Sequence, residues 1–328
     1  MNTRGDEMDT DITVREREFS PQEQALSVCL ANIHAVVPDQ EVNRCKILKV
    51  VEICKEKHIN VVIFPEFCFS GYFWNDYKVC KAYMDSAVIE ENGEWIMHNL
   101  YPLLDDELVL IVLNNIRRAP GEKMEKYYNS TFLLNKKIDF RNEDYIYNKI
   151  MLPGIEKQYT VSGCDDRLVV DTRIGRFGFT TCYDYCFSEL LREYAQIDNV
   201  DAVIQVASWR GTGDREYREM NIQTDMYYGY LWDLFMASRS ATNQFWTLAC
   251  NAVGTHEISG ARFWGGSGIW APSGINLISA SHYNEELLIV RNIDIKGQRR
   301  VEREDFDYSI DFNQIYRYVE DTRTFTRL

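Results

Sequence analysis

The sequence predicts one α/β domain in which two sheets pack on each other with helices outside. Three observations carry this. Apolar runs of strand length alternate with amphipathic helical segments without a break from residue 25 to 295. Strands outnumber the helices that could cross over between them, which suits stacked sheets better than one open sheet. No internal repeat, low-complexity tract or linker interrupts the alternation. With 328 residues, 45% hydrophobic and 26% charged, the chain can bury a large core without disulfide or metal staples.

The elements follow in order. Residues 1–23 are polar and aperiodic and are expected to form a tail. The domain is expected over 24–295. Leu26 to Ile33 reads as a strand. Asp39 is a helix N-cap, and Val42, Cys45, Leu48 and Val51 recur behind it at helical spacing. Asn60 to Phe64 and Leu108 to Asn114 are continuous apolar strands, as in a sheet covered on both faces. Trp95 to Leu104 reads as a helix between them. Tyr128 to Leu134 and Ile138 to Tyr147 read as paired strands. Leu168 to Asp171, Arg176 to Thr181 and Ala202 to Ala207 are further strands, with a helix over Phe187 to Gln196. A helix over Met226 to Thr242 precedes strands at Phe245 to Ala252, Ser267 to Ala271, Ile275 to Ala280 and Glu286 to Ile293. Residues 296–328 are charged and aromatic and are expected to make an oligomer contact.

Composition excludes several functions. A formal net charge of −14 argues against a phosphate-binding surface and so against nucleic acid. The longest aliphatic run, Leu108 to Leu113, is far short of the roughly 20 residues that span a bilayer. The charged N-terminus lacks the apolar core of a secretory signal. Nine cysteines form no CxxC pair, and most lie in apolar segments, which reads as free thiols in a reducing, cytoplasmic compartment. None of the five histidines sits in a metal-ligating pattern, and there is no glycine-rich phosphate loop.

Three segments place a polar residue at the carboxyl end of a buried strand, where α/β sheets hold ligands. Glu66 follows Val61-Val62-Ile63-Phe64-Pro65 among Phe67, Phe69, Tyr72, Phe73 and Trp74. Desolvation there would suit it to general-base work. Lys149 ends the strand closing with Tyr147-Asn148 and offers a fixed charge to a developing oxyanion. Cys182 ends the strand Gly178 to Thr181, and a helix opens near Ser188, a possible cap. That turn would lift a nucleophile out of the sheet and supply backbone N–H groups beside it. A nearby lysine would lower its thiol pKa. Position alone leaves open a loop glutamate, a solvated lysine and a packed cysteine.

Together these segments resemble the nitrilase superfamily, the carbon–nitrogen hydrolases. The pieces are Phe64-Pro65-Glu66 with Gly71-Tyr72, Tyr128-Asn129-Ser130, Asn148-Lys149 with Leu152, and Cys182-Tyr183-Asp184 with Glu189 and Leu190. Ser208-Trp209, Asn251 with Gly254, and Gly266-Ser267 with Pro272 and Gly274 complete the order. The resemblance implies a four-layer αββα sandwich and a Glu–Lys–Cys triad that needs no cofactor or metal. It implies Glu66 as base and acid, Lys149 as oxyanion stabiliser and Cys182 as nucleophile. Glu156 resembles the family's second glutamate, and the Tyr183 N–H is the second oxyanion donor. The expected reaction is hydrolysis of an amide or N-carbamoyl C–N bond in a small metabolite through a thioester. Transfer of the same acyl group to an amine, or an idle binding role, are the alternatives. Cys-Tyr-Asp, where nitrile-cleaving members carry Cys-Trp-Glu, points to the amidase branches. The stretch Cys186-Phe187-Ser188-Glu189 departs from the Arg-Phe-Pro-Glu of ω-amidases. Tyr72, Trp209 and Arg210 are the candidate substrate contacts, Arg210 toward a substrate carboxylate, and Cys186 is expected to pack. The family also implies a homodimer or larger homo-oligomer.

Overall fold

Two seven-stranded sheets lie face to face in the computed structural model, which describes residues 12–21, 23–73, 77–121, 126–164, 167–315 and 326–327. In chain order, β1 (Thr13–Glu18), β2 (Leu26–Asn32), β3 (Val61–Ile63), β4 (Leu110–Arg118), β5 (Tyr127–Leu134) and β6 (Ile146–Asn148) enter the first sheet. The second takes β7 (Val169–Asp171), β8 (Arg176–Thr181) and β9 (Ala202–Ala207). A hairpin of β10 (Arg215–Tyr217) and β11 (Ile222–Thr224) intervenes. Then come β12 (Trp246–Asn251), the ribbon β13 (Val253–Thr255) and β14 (Arg262–Trp264), β15 (Gly268–Trp270) and β16 (Asn276–Ser279). β17 (Glu286–Ile293) returns to the first sheet, and β18 (Thr326–Arg327) joins the second. The sheet orders are β1-β17-β2-β3-β4-β5-β6 and β16-β15-β12-β9-β8-β7-β18. Each is built on a parallel trio, β2-β3-β4 and β8-β9-β12.

The alternation along β2 shows why both faces are apolar. Val28 and Leu30 enter the core between the sheets, while Cys29 and Ala31 face the helices. The inter-sheet core pairs Leu30, Ile63 and Val112 with Phe179, Ile204 and Leu248. Helices α1 (Gln40–Glu56), α2 (Tyr77–Ala87) and α3 (Ile89–Asn99) follow β2 and β3, and α1 and α3 cover the first sheet through Ile47, Val51 and Ile96. On the other side, α4 (Ser188–Gln196) and α5 (Tyr227–Asn243) cover the second through Leu191, Tyr194, Trp232 and Met236. This is the helix–sheet–sheet–helix sandwich. Asp39 caps α1 by accepting from the Val42 N–H at 3.1 Å, as its position predicts.

Several expectations change. The tail through residue 23 contains β1, paired in parallel with β17. As an edge strand with five of six side chains exposed, it carries no apolar pattern to read. Ile138 to Tyr147 is not one strand. Asp139 and Asn142 take the N–H groups of Arg141 and Asp144 and bend the chain into a 3₁₀ turn, so β6 starts at Ile146. The helix read at Trp95 to Leu104 is α3, which ends at Asn99 before the 3₁₀ turn containing Pro102. Ser188 opens α4 without capping it. The segment from residue 296 begins inside the domain, as α6 (Ile295–Asp305). Its buried Arg299 pairs with Asp201 at 3.0 Å and donates to the Gln244 carbonyl at 3.0 Å. α7 (Tyr308–Ile315) follows. The aromatic residues Trp74, Tyr316, Tyr318 and Phe325 lie outside the described residues. Among the described residues, no helix is long and apolar enough to cross a membrane.

Candidate active site

The carboxyl ends of the two parallel trios meet. After Pro65 the chain leaves β3 and crosses to the other sheet, where the Glu66 N–H donates to the Ala207 carbonyl at 3.3 Å. Ser208 completes the junction. Its N–H donates to Glu66 Oε2 and its hydroxyl to the Glu66 carbonyl, both at 2.8 Å. Lys149 arrives from β6, held by its N–H on the Asn129 carbonyl at 2.8 Å. Its ammonium sits between two carboxylates, 2.9 Å from Glu66 Oε1 and 2.6 Å from Glu156 Oε1. All three side chains are fully buried. Burial alone would strip the Lys149 charge, but Glu156 and then Glu66 outweigh it and hold its pKa well above the usual lysine value. Burial is also the chief cause of the raised Glu156 pKa, which Lys149 opposes. The Tyr72 hydroxyl donates to the same Glu156 oxygen.

Cys182 stands at the end of β8 with φ of +49°, in the left-handed region that costs a non-glycine residue roughly 1–3 kcal/mol. The strain is held from three sides. Asp184 accepts from the Thr181 N–H at 2.9 Å, the Tyr147 hydroxyl at 2.7 Å and the Met151 N–H at 2.7 Å. The Cys182 carbonyl accepts from Gln205 Nε2 at 2.9 Å. The elbow is thus tied to β6 and the loop that carries Lys149. Cys182 opens a 3₁₀ turn through Cys186, whose first N–H groups, Tyr183 included, have no partner within the turn.

The expected lowering of the thiol pKa is overturned. Burial, then the charge of Glu66, pushes Cys182 well above the ordinary thiol value, and Lys149 only offsets part of this. Two carboxylates surround the one ammonium, so the site as a whole favours the protonated thiol.

Cys182 opens onto a cavity of about 440 Å³. Tyr72, Tyr183, Trp209 and Arg210 line it, so every candidate contact reaches it, while Glu66, Lys149 and Glu156 lie buried. The Tyr72 hydroxyl is committed to Glu156 and Trp209 Nε1 to the Tyr228 carbonyl at 2.7 Å. Arg210 Nε donates to the Thr212 carbonyl at 3.0 Å, and its guanidinium lies 5.6 Å from the Tyr228 ring centre. Cys186, expected to pack, is half-buried on the cavity wall. Phe73 packs between Phe67 and Tyr159.

The carbon-nitrogen hydrolase family profile matches residues 26–302, most of the chain and all of this site. The chain belongs to the carbon–nitrogen hydrolase family. This hydrolase is 25% identical over 276 residues to the chloroplastic omega-amidase of Arabidopsis thaliana, covering 81% of this chain and 68% of that protein. It is 23% identical over 235 residues to an omega-amidase of Saccharomyces cerevisiae, covering 70% and 74%. The crystal structure of Saccharomyces cerevisiae Nit3, a member of branch 10 of the nitrilase superfamily, superposes with a TM-score of 0.67 at 20% identity. It covers 88% of this chain and 98% of that one. The chain is therefore an amidase-type enzyme of this family, acting on C–N bonds.

Asn129 and Asn114 entered the sequence reading only as a motif residue and a strand residue, and Asp184 and Ser208 only as motif residues, none with a role in the site. The signal for the first two was present: polar residues inside strands whose other positions are buried must find partners.

Proposed function

We propose that the enzyme hydrolyses an amide or N-carbamoyl C–N bond of a small metabolite through a Cys182 thioester. The observation that carries this is the buried Glu66–Lys149–Glu156 cluster behind a strained cysteine at the floor of a cavity. The resting thiol is protonated, so attack needs a base. Glu66 takes the Cys182 proton on an oxygen not consumed by Lys149, as sulfur attacks the carbonyl carbon. Lys149 has three N–H donors, and two point at carboxylates. The third, with the Tyr183 N–H, receives the tetrahedral oxyanion. Glu66 then gives its proton to the leaving nitrogen and the C–N bond breaks. Glu66 next activates water, which hydrolyses the thioester and frees the acid and the thiol. Besides the substrate and one water, the steps use the chain's own groups. Glu156 keeps Lys149 charged and in place.

Arg210 would pair with a carboxylate at the far end of the acyl group, with Tyr72, Trp209 and Tyr228 flanking the chain between. The omega-amidase relatives support an amide over a nitrile. The assembly is a homo-oligomer joined through the α4 region and the C-terminal segment, which sedimentation tests. The function is tested by ammonia release from primary amides, ω-amides, N-carbamoyl compounds and nitriles, with Cys182→Ala as blank. Release that persists in Cys182→Ala would refute it. Arg210→Gln should raise KM for carboxylate-bearing amides at least roughly tenfold and leave uncharged amides unchanged.

A further inference from the structure

The geometry points to Asn129, on β5, as a positioning residue that holds the two buried carboxylates on either side of Lys149. This rests on the reading of Glu66 as the base. One ammonium between two carboxylates leaves the group with a net negative charge, and the two anions repel. Asn129 Nδ2 reaches both, donating to Glu66 Oε1 at 2.7 Å and to Glu156 Oε2 at 3.2 Å. It is a neutral amide with two hydrogens, so it bridges them without adding charge. Asn129 is itself fully buried.

The bridge works only if nitrogen, not oxygen, faces the carboxylates, and neighbouring bonds fix that orientation. The Phe67 N–H donates to Asn114 Oδ1 at 2.9 Å. A backbone N–H is always a donor, so the other end of Asn114 must be its NH₂. That NH₂ donates to Asn129 Oδ1 at 3.0 Å and to Thr131 Oγ1 at 3.0 Å. Asn129 is therefore held with its own NH₂ toward Glu66 and Glu156. The same chain runs on from Thr131 Oγ1 to Thr181 Oγ1, 3.3 Å away and next to Cys182. Base, second carboxylate and nucleophile thus hang on one buried hydrogen-bond network, set from the backbone of the residue after Glu66.

Withdrawing this donor makes protonation of the two carboxylates easier. The titratable groups facing them are Lys149, Tyr72, Tyr159 and Cys182. Asn129→Leu and the isosteric Asn129→Asp test the assignment. The readouts are the pH profile of kcat/KM for an amide the wild type turns over, and the pH profile of Cys182 alkylation by iodoacetamide, read by intact mass. Thermal unfolding checks the fold. The loss of the hydrogen bond to Glu66, the one that bears on the base, predicts a fall of roughly 10- to 200-fold in kcat/KM. The acid limbs of both profiles should move upward by about one pH unit. Asn114→Asp leaves Asn129 in place but removes the donor that orients it. It should move the same limb by a smaller amount. A folded Asn129 variant with both profiles in the wild-type position would overturn the assignment. So would failure of all three variants to fold, which would make Asn129 purely structural. If Cys182→Ala retained turnover, the proposed function would fail separately.

Discussion

Asp184 shows how one buried side chain sets both geometry and pH response. Burial pushes its carboxyl up to about 6 from an ordinary value of 3.8, against the pull of Lys149 and its three hydrogen-bond donors. A raised carboxyl pKa means the folded state holds this proton more tightly than the unfolded chain. Below the unfolded value both states are protonated. Between the two values only the folded state keeps the proton, so stability falls as pH rises, and above about 6 the penalty is constant. Asp184→Asn removes that titration but sets an NH₂ against the Met151 or Thr181 N–H. Its deficit relative to wild type should be largest near pH 4 and shrink by about 3 kcal/mol by pH 7, from two pKa units. Urea unfolding of both proteins across this range reads the difference, and a deficit constant with pH would refute the shift. Lys149 behaves oppositely. Lys149→Met leaves two uncompensated buried carboxylates, which predicts about 3–5 kcal/mol of destabilisation at pH 7 and less at lower pH, where they take up protons. A variant as stable as wild type at pH 7 would show that the lysine charge is not needed to bury them.

Strand β8 and helix α4 act together as the mount for Cys182. Gly178 lies mid-strand against Tyr194, and a Cβ there would come within 2.7 Å of the ring. The ring cannot yield, because it is fully buried and its hydroxyl donates to the Phe179 carbonyl at 2.6 Å. Gly178→Ala should therefore push α4 off the sheet, costing about 1–3 kcal/mol in denaturant titration and lowering turnover as the elbow moves. Unchanged stability would mean that α4 is free to shift. Elements of this kind were the legible part of the sequence. Strand segments covered on both faces, such as β3 and the Leu110 to Leu113 start of β4, are apolar at every position, so they announce themselves. β1 and the β10–β11 hairpin were hidden because their side chains face solvent. Glu66, Lys149 and Cys182 were visible as polar residues at strand ends, but periodicity does not say that β3, β6 and β8 converge. The resemblance supplied that. The thiol pKa was misjudged because burial of Cys182, and then the charge of Glu66 from a distant segment, outweigh the one lysine.

At the scale of the molecule, the site is a seam between two sheets, so whatever fixes one sheet against the other fixes the distance from base to nucleophile. The bolts are few and polar. Cys250 Sγ on β12 lies 3.3 Å from the Ala31 carbonyl and 3.2 Å from the Ile63 carbonyl of the other sheet. Ser267 Oγ donates to Asn32 Oδ1 at 2.8 Å and accepts from the Asn251 N–H at 2.9 Å. Asn251 in turn accepts from the Trp209 N–H at 2.7 Å, which carries the fixation to the cavity wall. Ser267→Ala strands the Asn251 N–H and takes the hydroxyl from Asn32, all out of reach of water, at a cost of about 1–3 kcal/mol. Because both sheets and Trp209 depend on this bond, kcat/KM should fall along with the urea midpoint. Cys250→Ala gives up a weaker thiol donor to the carbonyls of the other sheet and leaves the Ser267 hydroxyl in place, so it should cost stability with less effect on turnover. The two variants, measured side by side with one amide substrate, separate loss of packing from loss of alignment. If Ser267→Ala lost stability but kept its kcat/KM, the Asn32–Ser267–Asn251 link would hold the sandwich together without aligning the site.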